Sequence, residues 1–227
     1  LSRQELKSIL LKMEITYPGH SCFKIKGRVS TLITDPYDEK AGRLPRDLQA
    51  DIVTVSHDHG DHNHTEKIAG IKLKIDGPGE YEVGGVSVIG VHTAHDESQG
   101  QERGGNTVYV IEMEGVRLVH LGDLGHKLTQ EQLQEIGPVD VAIVPVGGFY
   151  TINAKLAAEV VKQLDPRVVI PMHYQQAGLD PKTFKDLAGV DEFLKEMAKT
   201  EVQPVPKLTI TADKLPAEMQ VVVLERK

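Results

Sequence analysis

The sequence predicts an α/β (α+β) chain, one domain with sheets inside and helices outside. Three observations carry that prediction. Short apolar segments broken by Gly, Pro and Asp turns fill the first half and leave little room for helix. Two near-continuous apolar runs, VDVAIVPV (139–146) and RVVIPM (167–172), mark strands buried on both faces. Apolar residues at helical spacing lie between and after those runs. A length of 227 residues suits one domain with a sizeable core, and 40% hydrophobic with 26% charged residues is ordinary for a globular chain.

Taken in order, LSRQELKSILLK places Leu6, Ile9 and Leu10 at helical spacing, which predicts a helical extension over residues 1–12 and a single domain over 13–227. MEITY, SCFKIK, STLITD and DIVTVS then read as strands separated by Pro-Gly, Gly-Arg and Asp-Pro turns. IKLKI follows, and YEVGGVSVIGV folds back at Gly84-Gly85. NTVYVIEM and VRLVHLGD make another hairpin around Glu114-Gly115. Thr129 with Gln132 is a capping box opening the helix QEQLQEI. A second helix runs from about Asn153 to Leu164, with Leu156, Val160, Val161 and Leu164 on one face. Asp180-Pro181 is a helix start for a segment reaching about Thr200, with a break at Gly189 left open. KLTIT and QVVVLE close the chain as strands.

Composition narrows the function. A net charge of −7 without a basic block argues against nucleic acid as a partner. A small anionic substrate remains compatible, because a bound metal outweighs local acidic charge. The single cysteine, Cys22, forms no intrachain disulfide and no Cys-rich zinc site, which fits a cytoplasmic location. No apolar run approaches the roughly 18 residues of a membrane span, and the first residues lack a signal-peptide pattern.

The strongest signal is SHDHGDHNH (56–64), directly after a strand. Imidazole nitrogens and carboxylate oxygens suit zinc and neighbouring first-row metals. His57 and His59, one residue apart, can aim at a common point, while Asp61 and His62 turn toward a second; Gly60 lets the loop bend. The spacing therefore suits two metals. Further donors sit after later strands: His92 or His95, Asp123 between Gly122 and Gly125, and His173.

These motifs, with GHSCF (19–23), LITDPY (32–37), TAHDES (93–98), HLGDLG (120–125), VPVGGFYT (144–151) and IPMHY (170–174), resemble the metallo-β-lactamase superfamily of metal-dependent hydrolases. The resemblance is strongest to the branch of ascorbate-6-phosphate lactonase-like proteins and uncharacterised zinc-dependent hydrolases. It implies a four-layer αββα sandwich with the site at one edge between two sheets. It also implies ligand roles: His57, His59 and His95 on one metal, Asp61, His62 and His173 on the other, and Asp123 bridging both. His95 is chosen over His92 by its place in the third motif. Asp58 is the expected brace of a ligand histidine, with Asp35, His20 and His120 as further supports.

Two divalent ions, zinc first with manganese or iron as alternatives, imply hydrolysis, because they lower the pKa of bound water to about 7 and stabilise charge on a carbonyl or phosphoryl oxygen. Asp123 and Asp61 belong to that machinery as ligands. His126 is the candidate leaving-group proton donor, against a surface histidine as the plain alternative. Gly147, Gly148, Phe149, Tyr150 and Tyr174 are candidate pocket residues, and the polar segment 96–105 is either a lid or a surface loop. No large insertion or basic patch accompanies the motifs, so the expected substrate is a small ester, lactone or phosphodiester, with no nucleic acid or membrane partner. Homo-oligomer formation is left open. The competing readings are a mononuclear iron oxidoreductase of the thiol dioxygenase kind and a non-catalytic metal-binding protein.

Overall fold

Strand hydrogen-bonding divides the protein into two sheets. The computed structural model describes residues 11–227, so the expected N-terminal helix lies outside the described residues, apart from Leu11 and Lys12, which have no regular structure. One sheet has six strands in the order β12-β1-β2-β3-β4-β5, and the other has seven in the order β13-β11-β10-β9-β8-β7-β6. The strands of the first sheet are β1 (Met13–Gly19), β2 (Cys22–Lys26), β3 (Thr31–Thr34), β4 (Ile52–Thr54), β5 (Leu73–Ile75) and β12 (Leu208–Ile210). The second is built from β6 (Gly79–Val83), β7 (Val86–Ala94), β8 (Gly105–Met113), β9 (Val116–His120), β10 (Val141–Pro145), β11 (Val168–Met172) and β13 (Gln220–Val221).

Both hairpins expected from sequence form. Gly84 (φ 59°) with Gly85 (φ 77°), and Glu114 (φ 54°) with Gly115 (φ 75°), turn with two consecutive left-handed residues, the geometry that matches strand twist. Alternation then sorts the side chains of β7: Val86 and Val88 face the other sheet, while Val91 faces the helices. Between the sheets lie Ile15, Phe23, Ile25, Leu32 and Ile52 against Tyr109, Ile111, Leu118, Ile143 and Ile170.

The outer face of the seven-stranded sheet carries α1 (Gln130–Ile136), α2 (Ala154–Leu164) and α3 (Val190–Glu196). The capping box of Thr129 and Gln132 is present, and the Asn153 side chain caps α2. The third helix is shorter than expected. After Asp180 only a turn forms, closed by Thr183 and Phe184 N–H groups on Asp180, and α3 begins after Gly189. Phe184 and Leu187 pack on the opposite sheet, and the Ala188 N–H is drawn to the Gly147 carbonyl, so the segment cannot continue as one helix onto α3.

The outer layer over the six-stranded sheet is irregular. Tyr37, Ala41, Leu44, Leu48, Ile68, Leu179, Phe184 and Leu187 cover Cys22, Ile33, Val53 and Val55. Among the described residues its regular structure is a 3-10 turn at Thr65–Lys67, so loops do here what helices do on the other face. No helix of the described residues is long and apolar enough to cross a membrane.

Candidate metal centre

The parallel pairs β3–β4 and β9–β10–β11 bring strand ends of both sheets to one edge. The loop after β4 supplies His57, His59, Asp61 and His62; the ends of β7, β9 and β11 supply His95, Asp123 and His173. Backbone strain gathers at this edge: His20, Asp35 and His173 have φ of 54°, 37° and 53°. A side chain in the left-handed region costs energy that the surroundings must offset, and such positions concentrate at functional sites.

Donor atoms fall into overlapping groups, each within 4.8 Å internally: His57, His59 and His95; His20, Asp61, His62 and His173; and His57, His62 and Asp123. Asp123 is central. Its Oδ2 lies 3.2 Å from both His95 Nε2 and His173 Nε2, and its Oδ1 lies 3.3 Å from His62 Nε2. Yet His57 Nε2, His62 Nε2, His173 Nε2 and Asp123 Oδ1 are buried without a hydrogen-bond partner. Close approach without hydrogen-bond alignment means that these lone pairs point past one another toward shared space. Buried orphan donors and acceptors are costly unless something fills that space. The set of imidazole and carboxylate ligands is the one a divalent first-row cation accepts, so the residues fit such ions.

Supporting hydrogen bonds fix the ring orientations. Asp35 is fully buried, accepts the Ser56 N–H at 2.8 Å and the Ser56 hydroxyl at 2.7 Å, and lies 2.9 Å from His62 Nδ1. A carboxylate can only accept, so His62 Nδ1–H donates and Nε2 faces the cluster. Because the Ser56 hydroxyl proton goes to Asp35, Ser56 must accept from His57 Nδ1–H at 2.9 Å, which leaves His57 Nε2 bare. His20 Nε2–H similarly donates to Asp61 at 3.1 Å, and its ring packs 4.1 Å from that of His173. His120 Nε2–H donates to the Ser21 carbonyl, while its Nδ1 accepts the Gly122 N–H and so holds the residue before Asp123. The Asp123 N–H itself donates to Asn106 Oδ1, and the Asn106 amide is anchored on Thr93 and Leu121.

Electrostatics follow from burial and crowding. Burial pushes His57 down to about 3 and His20 down to about 4, so both are neutral near pH 7. Burial alone would raise Asp123, but the surrounding histidines, His173 first, hold it well below the usual carboxylate range. His62 and His95 move the other way: burial opposes their charge, and the Asp123 carboxylate overcomes it.

The structure places several expected residues elsewhere. Asp58 is exposed and accepts from the Asn63 side chain at 2.6 Å, so it braces no clustered histidine; Asp35 and Ser56 do that instead. His126 accepts the Ala94 N–H at Nε2 and donates from Nδ1 to the Lys127 carbonyl, lining a separate cleft with His92. With both nitrogens held by backbone, it has no proton to offer at the cluster. Tyr174 is buried in the core on the helical side. Gly147 packs under the His173 carbonyl, and Gly148 and Phe149 lie outside the lining of the cleft beside the cluster; of the five expected pocket residues only Tyr150 lines it.

That cleft has a volume of about 320 Å³, and His59, Asp61, His95 and Asp123 form its floor. Lys40 and Arg103, which the sequence reading passed over, stand in its wall with Asp38, Tyr150 and Phe184. An isolated Lys or Arg in a polar loop gives no periodicity or spacing that would have singled it out. Ser56 and Asn106 were missed for the same reason.

Comparison with known proteins points to a shared family and fold. The β-lactamase superfamily domain profile matches residues 14–173. A UPF0173 metal-dependent hydrolase of Thermococcus onnurineus is 35% identical over 208 residues, covering 78% of this chain and 92% of that protein. A relative of the same name from Pyrococcus abyssi is 33% identical over 209 residues, with the same coverage of 78% and 92%. Among solved structures, a protein from Thermotoga maritima assigned as a zinc-dependent hydrolase of the metallo-β-lactamase superfamily superposes with a TM-score of 0.74 at 39% identity, over 93% of this chain and 98% of that one. Igni18, a metallo hydrolase of Ignicoccus hospitalis, shares the fold with a TM-score of 0.65 at 22% identity, over 88% of this chain and 98% of that one.

Proposed function

The chain belongs to the β-lactamase superfamily and is a metal-dependent hydrolase of the metallo-β-lactamase fold; from that premise we propose a dinuclear enzyme that hydrolyses a small ester, lactone or phosphodiester. One observation carries the two-ion reading: two separate donor groups meet at the single carboxylate of Asp123. His57, His59 and His95 would hold one ion, Asp61, His62 and His173 the other, and Asp123 would touch both. Zinc suits this nitrogen-rich set best, with manganese as the nearest alternative.

Bound divalent ions supply acidified water and neutralise charge on the carbonyl or phosphoryl oxygen of the substrate. The chain's own residues do the rest. Asp35 and Ser56 keep His62 and His57 in the tautomers that turn Nε2 inward. Burial would raise the Asp61 carboxyl, but the neighbouring His62 first and then the His20 hydrogen bond hold it well below the usual carboxylate range, so Asp61 stays ionised and would serve as a ligand and not as a free base. A cleft of about 320 Å³ suits a small-molecule substrate.

Elemental analysis of the purified protein, followed by ester and phosphodiester assays, tests the reading. About two zinc or manganese ions per chain with turnover of a diester or ester support it. One iron with oxygen consumption overturns it in favour of an oxidoreductase. Asp123→Ala is expected to abolish metal retention and turnover together; retention of both ions in that variant would remove Asp123 from the shared position.

A further inference from the structure

We propose that Arg103, with Lys40, forms a subsite for a terminal oxyanion of the substrate, a carboxylate or a phosphate monoester, away from the bond that is cleaved. The inference rests on the hydrolase reading above and names the substrate class that reading leaves open. Arg103 lies in the loop after β7, and its position is built. The Asp96 carboxylate accepts backbone N–H groups from Gly100, Glu102 and Arg103 at 2.9, 3.1 and 2.8 Å, drawing residues 96–103 into a closed turn. The segment is therefore a tied wall of the cleft. The guanidinium then donates from Nη1 to the Tyr150 carbonyl at 3.0 Å and lies 5.6 Å over the Tyr150 ring.

A guanidinium has five N–H donors, and the Tyr150 carbonyl takes one. Among the described residues no carboxylate lies within ion-pair distance of Arg103 or of Lys40, although both line the same cleft as the metal cluster. Asp38, the wall's own carboxylate, is engaged through Oδ1 by the N–H groups of Lys40 and Ala41. An ordered guanidinium with a free fork and no counter-ion, beside a lysine, suits a planar or tetrahedral oxyanion. The cleft has three carboxylates, Asp38, Asp61 and Asp123, against these two cations, and bound divalent ions would turn that balance positive. Both cations line the same cleft, of about 320 Å³, as His59, Asp61, His95 and Asp123.

The test uses metal-loaded protein and matched 4-nitrophenyl esters that differ only at the far end: a carboxylate, a phosphate, or the neutral methyl ester. At least one charged ester is expected to exceed the neutral one in kcat/KM by about tenfold to a hundredfold, mainly through KM, with the gap shrinking in high salt. Comparison of the carboxylate and phosphate arms says which oxyanion is preferred. Arg103→Ala should collapse the gap, and Arg103→Lys should keep part of it, since charge remains while the fork is lost. Lys40→Ala, at an exposed side chain, should narrow the gap without a change in melting temperature.

Calorimetry with the corresponding non-hydrolysable amides separates the two claims. Tighter, Arg103-dependent binding of the anionic amides with no ester turnover would sustain the subsite and sink the hydrolase reading. Ester turnover with equal affinity for anionic and neutral amides would sink the subsite alone. Equal affinity without turnover would sink both.

Discussion

At the residue scale, the site depends on carboxylates and hydroxyls that touch no ion themselves. Asp35 is the clearest case, holding His62 directly and His57 through Ser56. Asp35→Asn keeps the shape but allows the amide to present a donor toward His62, favouring the wrong tautomer. Metal affinity is expected to fall about 10–100-fold, the usual cost of losing such a support; unchanged affinity in a competition titration against a chelator would refute the role. The same crowding makes the metal-free protein sensitive to pH. Burial holds His20 and His57 in the folded chain at about 4 and about 3, below the ordinary 6.5 of a histidine. The unfolded chain therefore binds more protons between those values and 6.5, and stability rises with pH across that window. His62 and His95 are shifted upward, so their contribution is complete below 6.5 and declines as pH rises through their folded values. The depressed carboxylates Asp35 and Asp123 act at more acid pH, below their ordinary range. In excess chelator the urea midpoint should thus peak near pH 6.5 and fall toward 4.5. A midpoint that rises on acidification from 6.5 to 4.5 would contradict these environments.

At the scale of elements, strand ends place the donors, and close backbone approaches fix those ends. Gly147 follows β10, its N–H donates to the His173 carbonyl at 3.1 Å, and an added Cβ would run into that same carbonyl. Gly147→Ala is therefore expected to cost about 1–3 kcal/mol by overpacking and to push His173 off the cluster. Gly77→Ala is the control, because nothing lies within 4 Å of a Cβ there. Equal stability and equal metal content in the two variants would show that His173 is not placed in this way. These elements also show what the sequence could disclose. Local signals sufficed for the hairpins at Gly84-Gly85 and Glu114-Gly115, the capping box at Thr129, and the crowded loop after β4, because each is specified within a few neighbouring residues. Asp58 was misread because adjacency to His57 suggested contact, whereas the bracing carboxylate, Asp35, arrives from another strand. His126 was misread because only the fold brings the Ala94 N–H against it. Residues 181–189 had helix-start chemistry, but their apolar side chains were claimed by the opposite sheet.

For the whole molecule, the cluster is a joint between the sheets. His57, His59, Asp61 and His62 follow β4 of the six-stranded sheet, whereas His95, Asp123 and His173 end strands of the seven-stranded one. Ions held by both sets would tie together two layers that otherwise meet through apolar side chains. Without ions, the folded state keeps polar atoms of His57, His62, His173 and Asp123 buried and without a hydrogen-bond partner, a penalty the unfolded chain escapes by hydration. Metal removal should therefore lower global stability as well as activity. Binding to the folded state alone adds about 4 kcal/mol when free metal exceeds its dissociation constant a thousandfold. Thermal unfolding with excess zinc and with excess chelator should differ by several degrees, and the shift should grow with free metal concentration. Asp123→Ala, lacking the carboxylate that lies 3.2 Å from both His95 and His173, should melt alike under the two conditions. A wild-type melting temperature indifferent to chelation would mean that the donors converge without an ion joining the sheets.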